Sequence, residues 1–154
     1  MAITDWIDEL AKLVAAEIED PSGRQVESFY LHEKANWQES IRTFPTMLSY
    51  PTGVRCHYSA GGPCYDLWTG QTEFHLVPDT GKHQYPLIVR YYALIRDAFA
   101  KHTTLGGKVA YLILQNESGN SISGPVVMTY GTDAPHLGLI ASWVVKEMTS
   151  VTVS

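Results

Sequence analysis

The stretch Trp68-Thr69-Gly70-Gln71-Thr72-Glu73-Phe74-His75-Leu76-Val77 decides the fold class of this chain. Trp68, Gly70, Thr72, Phe74 and Leu76 alternate with Thr69, Gln71, Glu73, His75 and Val77. Successive side chains of a strand point to opposite faces, so this spacing predicts a strand with one mostly apolar face and one mostly polar face. Pro78, which cannot donate to a ladder, ends it. A sheet built on such a strand is half covered, and the rest of the chain has to supply helices for its apolar side.

Two segments do so. Between Asp5 and Asp20 the residues Trp6, Ile7, Leu10, Leu13, Val14 and Ile18 recur at spacings of three and four, an amphipathic helix. Asp5 or Thr4 can cap it, Glu17, Glu19 and Asp20 crowd its negative end, and Pro21-Ser22-Gly23 stops it. From Pro86 to His102 the residues Leu87, Ile88, Tyr91, Leu94, Ile95, Ala98 and Phe99 make a second, broader apolar face. Arg90, Asp97 and Lys101 lie on its other side, with Asp97 and Lys101 spaced as a surface pair. Leu105-Gly106-Gly107 then turns the chain.

Further strands are expected at Thr46–Tyr50 and Val54–Ser59, joined as a hairpin through Pro51-Thr52-Gly53, with Ala60-Gly61-Gly62-Pro63 as a second turn. Val109–Leu114 is apolar on both faces and reads as a central strand. Residues 117–125, rich in Gly and Ser, read as a mobile loop before strands at Val126–Tyr130 and Leu137–Lys146. The segment 21–45 has no sustained period and reads as an extended arm, with a short strand about Val26–Leu31. The expectation is a single α+β domain over 1–154, with a mostly antiparallel or mixed sheet packed by two main helices.

Composition narrows the function. With 154 residues, 45% of them hydrophobic and 18% charged, the chain suits one adequate core. A net charge of -5 and scattered basic residues argue against general nucleic-acid binding. Met1-Ala2-Ile3-Thr4-Asp5 lacks a basic, then apolar leader, and no run reaches about 18 apolar residues, so neither export nor membrane insertion is expected. The glycosylation sequon Asn116-Glu117-Ser118 is then accidental. Cys56 and Cys64, the two cysteines, are too few for a disulfide framework and are expected as free thiols.

Catalytic patterns fail on inspection. Gly106-Gly107-Lys108 suggests a phosphate loop, but His102 stands where the first glycine is required and Val109 where the hydroxyl is. No serine has glycines at both positions that a nucleophile elbow needs. Cys56, His57, Cys64, Glu73 and His75 offer nitrogen, sulfur and oxygen ligands suited to zinc, with Glu73 and His75 on one strand face and a hairpin to bring His57 near. Their spacing matches no standard zinc pattern. His136 with Asp133 has the chemistry of an acid–base pair, although a turn explains Asp133-Ala134-Pro135-His136 as well. No catalytic residue, cofactor or metal is therefore assigned.

The order of elements carries more. An N-terminal helix, Phe44-Pro45-Thr46-Met47-Leu48-Ser49-Tyr50-Pro51, the strand Thr72-Glu73-Phe74-His75-Leu76-Val77-Pro78, and a long helix ending in His102-Thr103-Thr104-Leu105-Gly106-Gly107-Lys108-Val109 follow one another. Over residues 44–148 this arrangement resembles the tail terminator, or tail completion, proteins of long-tailed bacteriophages. The resemblance implies a non-enzymatic subunit of a closed ring, usually hexameric. Such a ring caps the tail tube, stops its polymerisation, joins the head connector, and lets DNA pass without specific binding. It implies a place in the virion neck after assembly in the host cytoplasm. Head-closure or head–tail joining proteins share this size and ring habit and form the neighbouring reading. A small metal- or thiol-dependent enzyme using Cys56, His57, Cys64 and His75 is the reading from another class. A head-to-tail ring needs two unlike patches, and aromatic anchors suit them. Phe29, Tyr30 and Trp37 in the arm, with Asn120 and Ile122 in the Gly/Ser loop, are the expected contacts with neighbouring subunits or the tube.

Overall fold

The computed structural model describes residues 3–19, 27–29, 44–78, 85–115, 121–129 and 135–149. They form helix α1 (Ile3–Ala16), strands β1 (Glu27–Phe29), β2 (Thr46–His57) and β3 (Cys64–Pro78), helix α2 (Tyr85–Lys101), and strands β4 (Tyr111–Leu114), β5 (Ile122–Met128) and β6 (His136–Thr149). The sheet order is β1-β2-β3-β6-β4, with β5 also on β6. β1 runs parallel to β2, and every other pairing is antiparallel. This is the α+β fold expected from the sequence, a mixed sheet packed by two helices.

The alternation in β3 does what its spacing demands. Register pairs Thr72 with Ala141, Phe74 with Leu139, Gly70 with Trp143 and Trp68 with Val145, so these residues share one face. Met47 and Leu112 join them through their own registers. Against this face α1 places Trp6, Ile7, Leu10, Val14 and Ile18, and α2 places Ile88, Tyr91, Ile95, Ala98 and Phe99. Trp6 and Trp143 are both fully buried and meet edge to face, their ring centroids 5.7 Å apart. Burying an aliphatic or Phe side chain of this kind contributes about 1.5–3 kcal/mol, and the core holds many. Gly70 is required here, because a Cβ on it would collide with the Trp143 indole.

Where sequence and structure part, backbone pairing explains the difference. Pro51-Thr52-Gly53 is not a hairpin turn; β2 runs through it with an irregularity between Pro51 and Gly53. β1 pairs only Thr46, Met47 and Leu48, so among the described residues no neighbour on that side asks Pro51 for an N–H. The true hairpin joins β2 to β3 through Tyr58–Pro63, and includes the Ala60-Gly61-Gly62-Pro63 turn. The segment Val109–Leu114 is an edge strand over Tyr111–Leu114, not a central one: Leu112 faces the core while Ile113 stands exposed on the other face. The Gly/Ser stretch is shorter than expected, since Ile122 and Ser123 already pair with β6 as part of β5, and a bulge between Ser123 and Val126 absorbs Gly124-Pro125. Of the arm, Glu27–Phe29 forms β1, inside the expected short strand.

The helix ends follow their chemistry. α1 stops at Ala16, tightening through Glu17 N–H to Val14 O (3.1 Å) and Ile18 N–H to Ala15 O (3.3 Å). Asp5 sits inside the first turn, because the helix starts at Ile3. α2 ends in a left-handed run, φ +48° at Leu105, +69° at Gly106 and +86° at Gly107. Two glycines take this conformation freely, and full burial of the Leu105 side chain holds the third. Asp97 bonds Arg96 rather than Lys101, while Lys101 reaches Glu17, just past the end of α1, at 3.1 Å. No helix of the described residues is long and apolar enough to cross a membrane.

Candidate functional site

The sheet face away from the helices carries the polar residues of the alternation, and there the structure assembles a cluster from three strands. Tyr50 on β2 donates its hydroxyl to Glu73 Oε2 on β3 at 2.5 Å, and also lies 3.1 Å from Gln71 Oε1. Glu73 Oε1 faces His75 Nε2 at 3.3 Å, within ion-pair range. His75 Nδ1 lies 3.1 Å from His136 Nδ1 at the start of β6, 61 residues away in sequence. The Phe44 ring stands edge-on to His136 at 4.9 Å.

The register explains the meeting of the two rings. Gly138 is the residue across from His75 and contributes no side chain, and His136 is the next residue of β6 on that face. The irregularity between His75 and Val77 re-aims β3 at this point.

Proton placement follows from charge. A carboxylate only accepts, so the nearby charge of Glu73 favours the tautomer of His75 with its proton on Nε2, although the 3.3 Å contact is not aligned as a hydrogen bond. In neutral His75 the Nδ1 is then an acceptor, and His136 donates from its own Nδ1. The phenol of Tyr50 is held well above its ordinary pKa, first by burial and then by the hydrogen bond and charge of Glu73, so it stays a donor. The result is a string in which Tyr50 donates to Glu73, the other Glu73 oxygen faces His75 Nε2 without forming a hydrogen bond, and His75 and His136 share one Nδ1–H···Nδ1 bond.

The string is closed to solvent at its centre, since His75 and His136 are 1% and 3% exposed. A shallow recess of about 130 Å³ lies along the same face, lined by Thr52, Thr69, Gly70, Gln71, Gln115, Ser142 and Trp143, none of them ionisable. Chemically the string ties β2, β3 and β6 together on the sheet face opposite α1 and α2.

The zinc reading of Cys56, His57, Cys64, Glu73 and His75 is overturned by the register. His57 pairs with Tyr65 and stacks on its ring at 4.5 Å, whereas His75 pairs with Thr46 at the other end of β3. At ~3.3 Å per residue, the ten steps from Tyr65 to His75 span about 33 Å. Glu73 and His75 do share a face and do meet. Among the described residues no group of three or more His, Cys, Asp or Glu is placed to hold a metal ion. Asp133, with which the sequence paired His136, lies outside the described residues; His136 meets His75. The signal for that pair was present in the alternation that put Glu73 and His75 on one face, but nothing local linked them to His136.

In comparisons with known proteins, no family model and no curated sequence matches this chain.

Of the residues expected to touch other subunits, Tyr30, Trp37 and Asn120 lie outside the described residues. Phe29 ends β1 beside Leu48. Ile122 is not at a loop tip: it pairs with Ala141 and packs half-buried against the core.

Two apolar surfaces that the sequence reading did not single out are present instead. On α2, Tyr85, Val89 and Tyr92 are 60%, 66% and 40% exposed and form one stripe along the helix flank, continued by Arg96, whose guanidinium lies 5.8 Å from the Tyr92 ring. On the sheet face opposite the two helices, register sets Ile113 beside Val144 and Met148 beside Tyr65, with Leu67 and Tyr111 on either side of Lys146. Lys146 Nζ sits 4.2 Å over the Tyr65 ring. One surface belongs to the helix layer, the other to the opposite side of the sheet.

Proposed function

We propose that this protein is a structural subunit that works by head-to-tail self-association, a phage tail terminator whose ring caps the tail tube, stops its growth and meets the head connector. The observation that carries this reading is the pair of unlike apolar surfaces on opposite sides of the sheet. Head-to-tail association needs two different patches on each copy, and a closed rotation of such contacts makes a ring. Exposed Tyr and Arg beside aliphatic residues are the composition of interface anchors. The Tyr50–Glu73–His75–His136 string supports the same reading, because it ties together β2, β3 and β6, the last two of which bear one of the patches.

The direct test is assembly. Light scattering and native mass measurement should give one defined oligomer, either alone or on addition of tail tubes, and virions lacking the protein should carry overlong tails. A chain that stays monomeric at high concentration and ignores tail tubes removes this reading. Normal-length tails beside open heads would move the protein to head closure.

A further inference from the structure

The β2–β3 hairpin brings the two cysteines of the chain together. Cys56 pairs with Asp66, and Cys64 is two residues from Asp66 on the same strand and therefore on the same face. Cys56 and Cys64 are thus diagonal neighbours across an antiparallel pair. Diagonal Cα atoms in such a pair lie about 7–8 Å apart, against about 4.4–6.8 Å in a disulfide, so a shift of roughly 1 Å closes the gap. The hairpin can yield that much, because every residue from Thr52 to Pro63 is exposed and none is anchored in the core. The two thiols also differ in access, Cys56 being exposed and Cys64 buried. The Cys64 thiol makes a long contact to Gly62 O, at 3.9 Å, which closure would give up.

We propose that Cys56 and Cys64 are a reversible redox clasp that closes the tip of this hairpin with a disulfide. The oxidant is a low-molecular-weight disulfide such as oxidised glutathione. The exposed Cys56, as thiolate, attacks it, forming a mixed disulfide and expelling one glutathione thiolate. Cys64, as thiolate, then attacks Cys56 Sγ and expels the second. Two protein thiols become one disulfide, the glutathione disulfide becomes two thiols, and the two protein protons end on those thiols. Desolvation and the Asp66 carboxylate push the Cys56 thiol up, which slows its attack near neutral pH and makes closure faster in alkali. Closure draws the strands together and resets the twist of the hairpin end next to Tyr65 and Met148. The clasp does not depend on the ring reading.

The test uses the whole native protein with oxidised glutathione, followed by intact mass and thiol titration. Expected are loss of both thiols, a mass lower by two hydrogens, a digest fragment joining Cys56 to Cys64, and full reversal by a dithiol reductant. Cys64→Ser should instead stop at a stable glutathione adduct on Cys56. A wild-type protein that halts at that adduct with Cys64 still free, that forms disulfide-linked dimers, or that keeps both thiols overturns the proposal.

Discussion

The Nδ1 atoms of His75 and His136 face each other at 3.1 Å, so one ring donates and the other accepts. Glu73 on the far side of His75 decides which. Nitrogen-15 NMR at pH 8 should find His75 protonated on Nε2 and His136 on Nδ1; the reverse pattern refutes the directed string. His136→Ala removes this buried hydrogen bond and the ring packed beside Phe44, and should lower stability by about 1–3 kcal/mol, read from the urea midpoint at constant slope.

Glu147 is 4% exposed on the helix-facing side of β6, across from Asp66. Burial raises its pKa above the ordinary carboxylate value, the Asp66 and Asp5 charges push the same way, and the Trp68 indole N–H acts against them. A folded-state pKa above the unfolded one means stability is fullest below the unfolded value and falls as pH rises through the folded value. Glu147→Gln should therefore stabilise the protein at pH 7–8, on the order of 1 kcal/mol, and flatten the pH dependence above pH 4. Thermal melts from pH 4 to 8 check both; equal curves for the two proteins exclude the effect.

Gly70 has no room for a side chain beneath Trp143. Gly70→Ala should cost about 1–3 kcal/mol through overpacking and shift the near-ultraviolet signal of Trp143. Gly61, whose added Cβ would meet nothing within 4 Å, is the control site on space alone, although its φ of +71° adds backbone strain. A Gly70→Ala protein as stable as wild type would show that the indole shifts at little cost.

Head-to-tail assembly has a signature in mixtures. Val89→Asp removes the α2 stripe and Ile113→Asp the sheet-face patch, and neither side chain is in the core. Each variant alone should stay monomeric and folded, while the two together should form one-to-one pairs and no ring, because only one intact contact remains between them. Native mass measurement reads this directly. If either variant alone still dimerises, the interface is self-complementary and the ring geometry is wrong.

Sequence by itself determined the parts whose cause is local. The period of two in Trp68–Leu76 and the spacings of three and four in Trp6–Ile18 and Leu87–Phe99 fix which side chains can share a face, and with them the α+β class and most of the core. The left-handed turn at Leu105-Gly106-Gly107 was equally legible, since glycine freedom is a property of the residue.

Tertiary structure alone decided what depends on register between distant segments. Nothing near Pro51-Thr52-Gly53 says that β1 stops at Leu48 and spares the proline a partner. Nothing near His136 points to His75, and nothing near Gly70 points to Trp143, because pairing of β3 with β6 sets both meetings. Faces are set by short-range geometry that a sequence carries. Neighbours across a sheet are set by which strands pair and at what offset, a cooperative outcome of burying the whole apolar face at once.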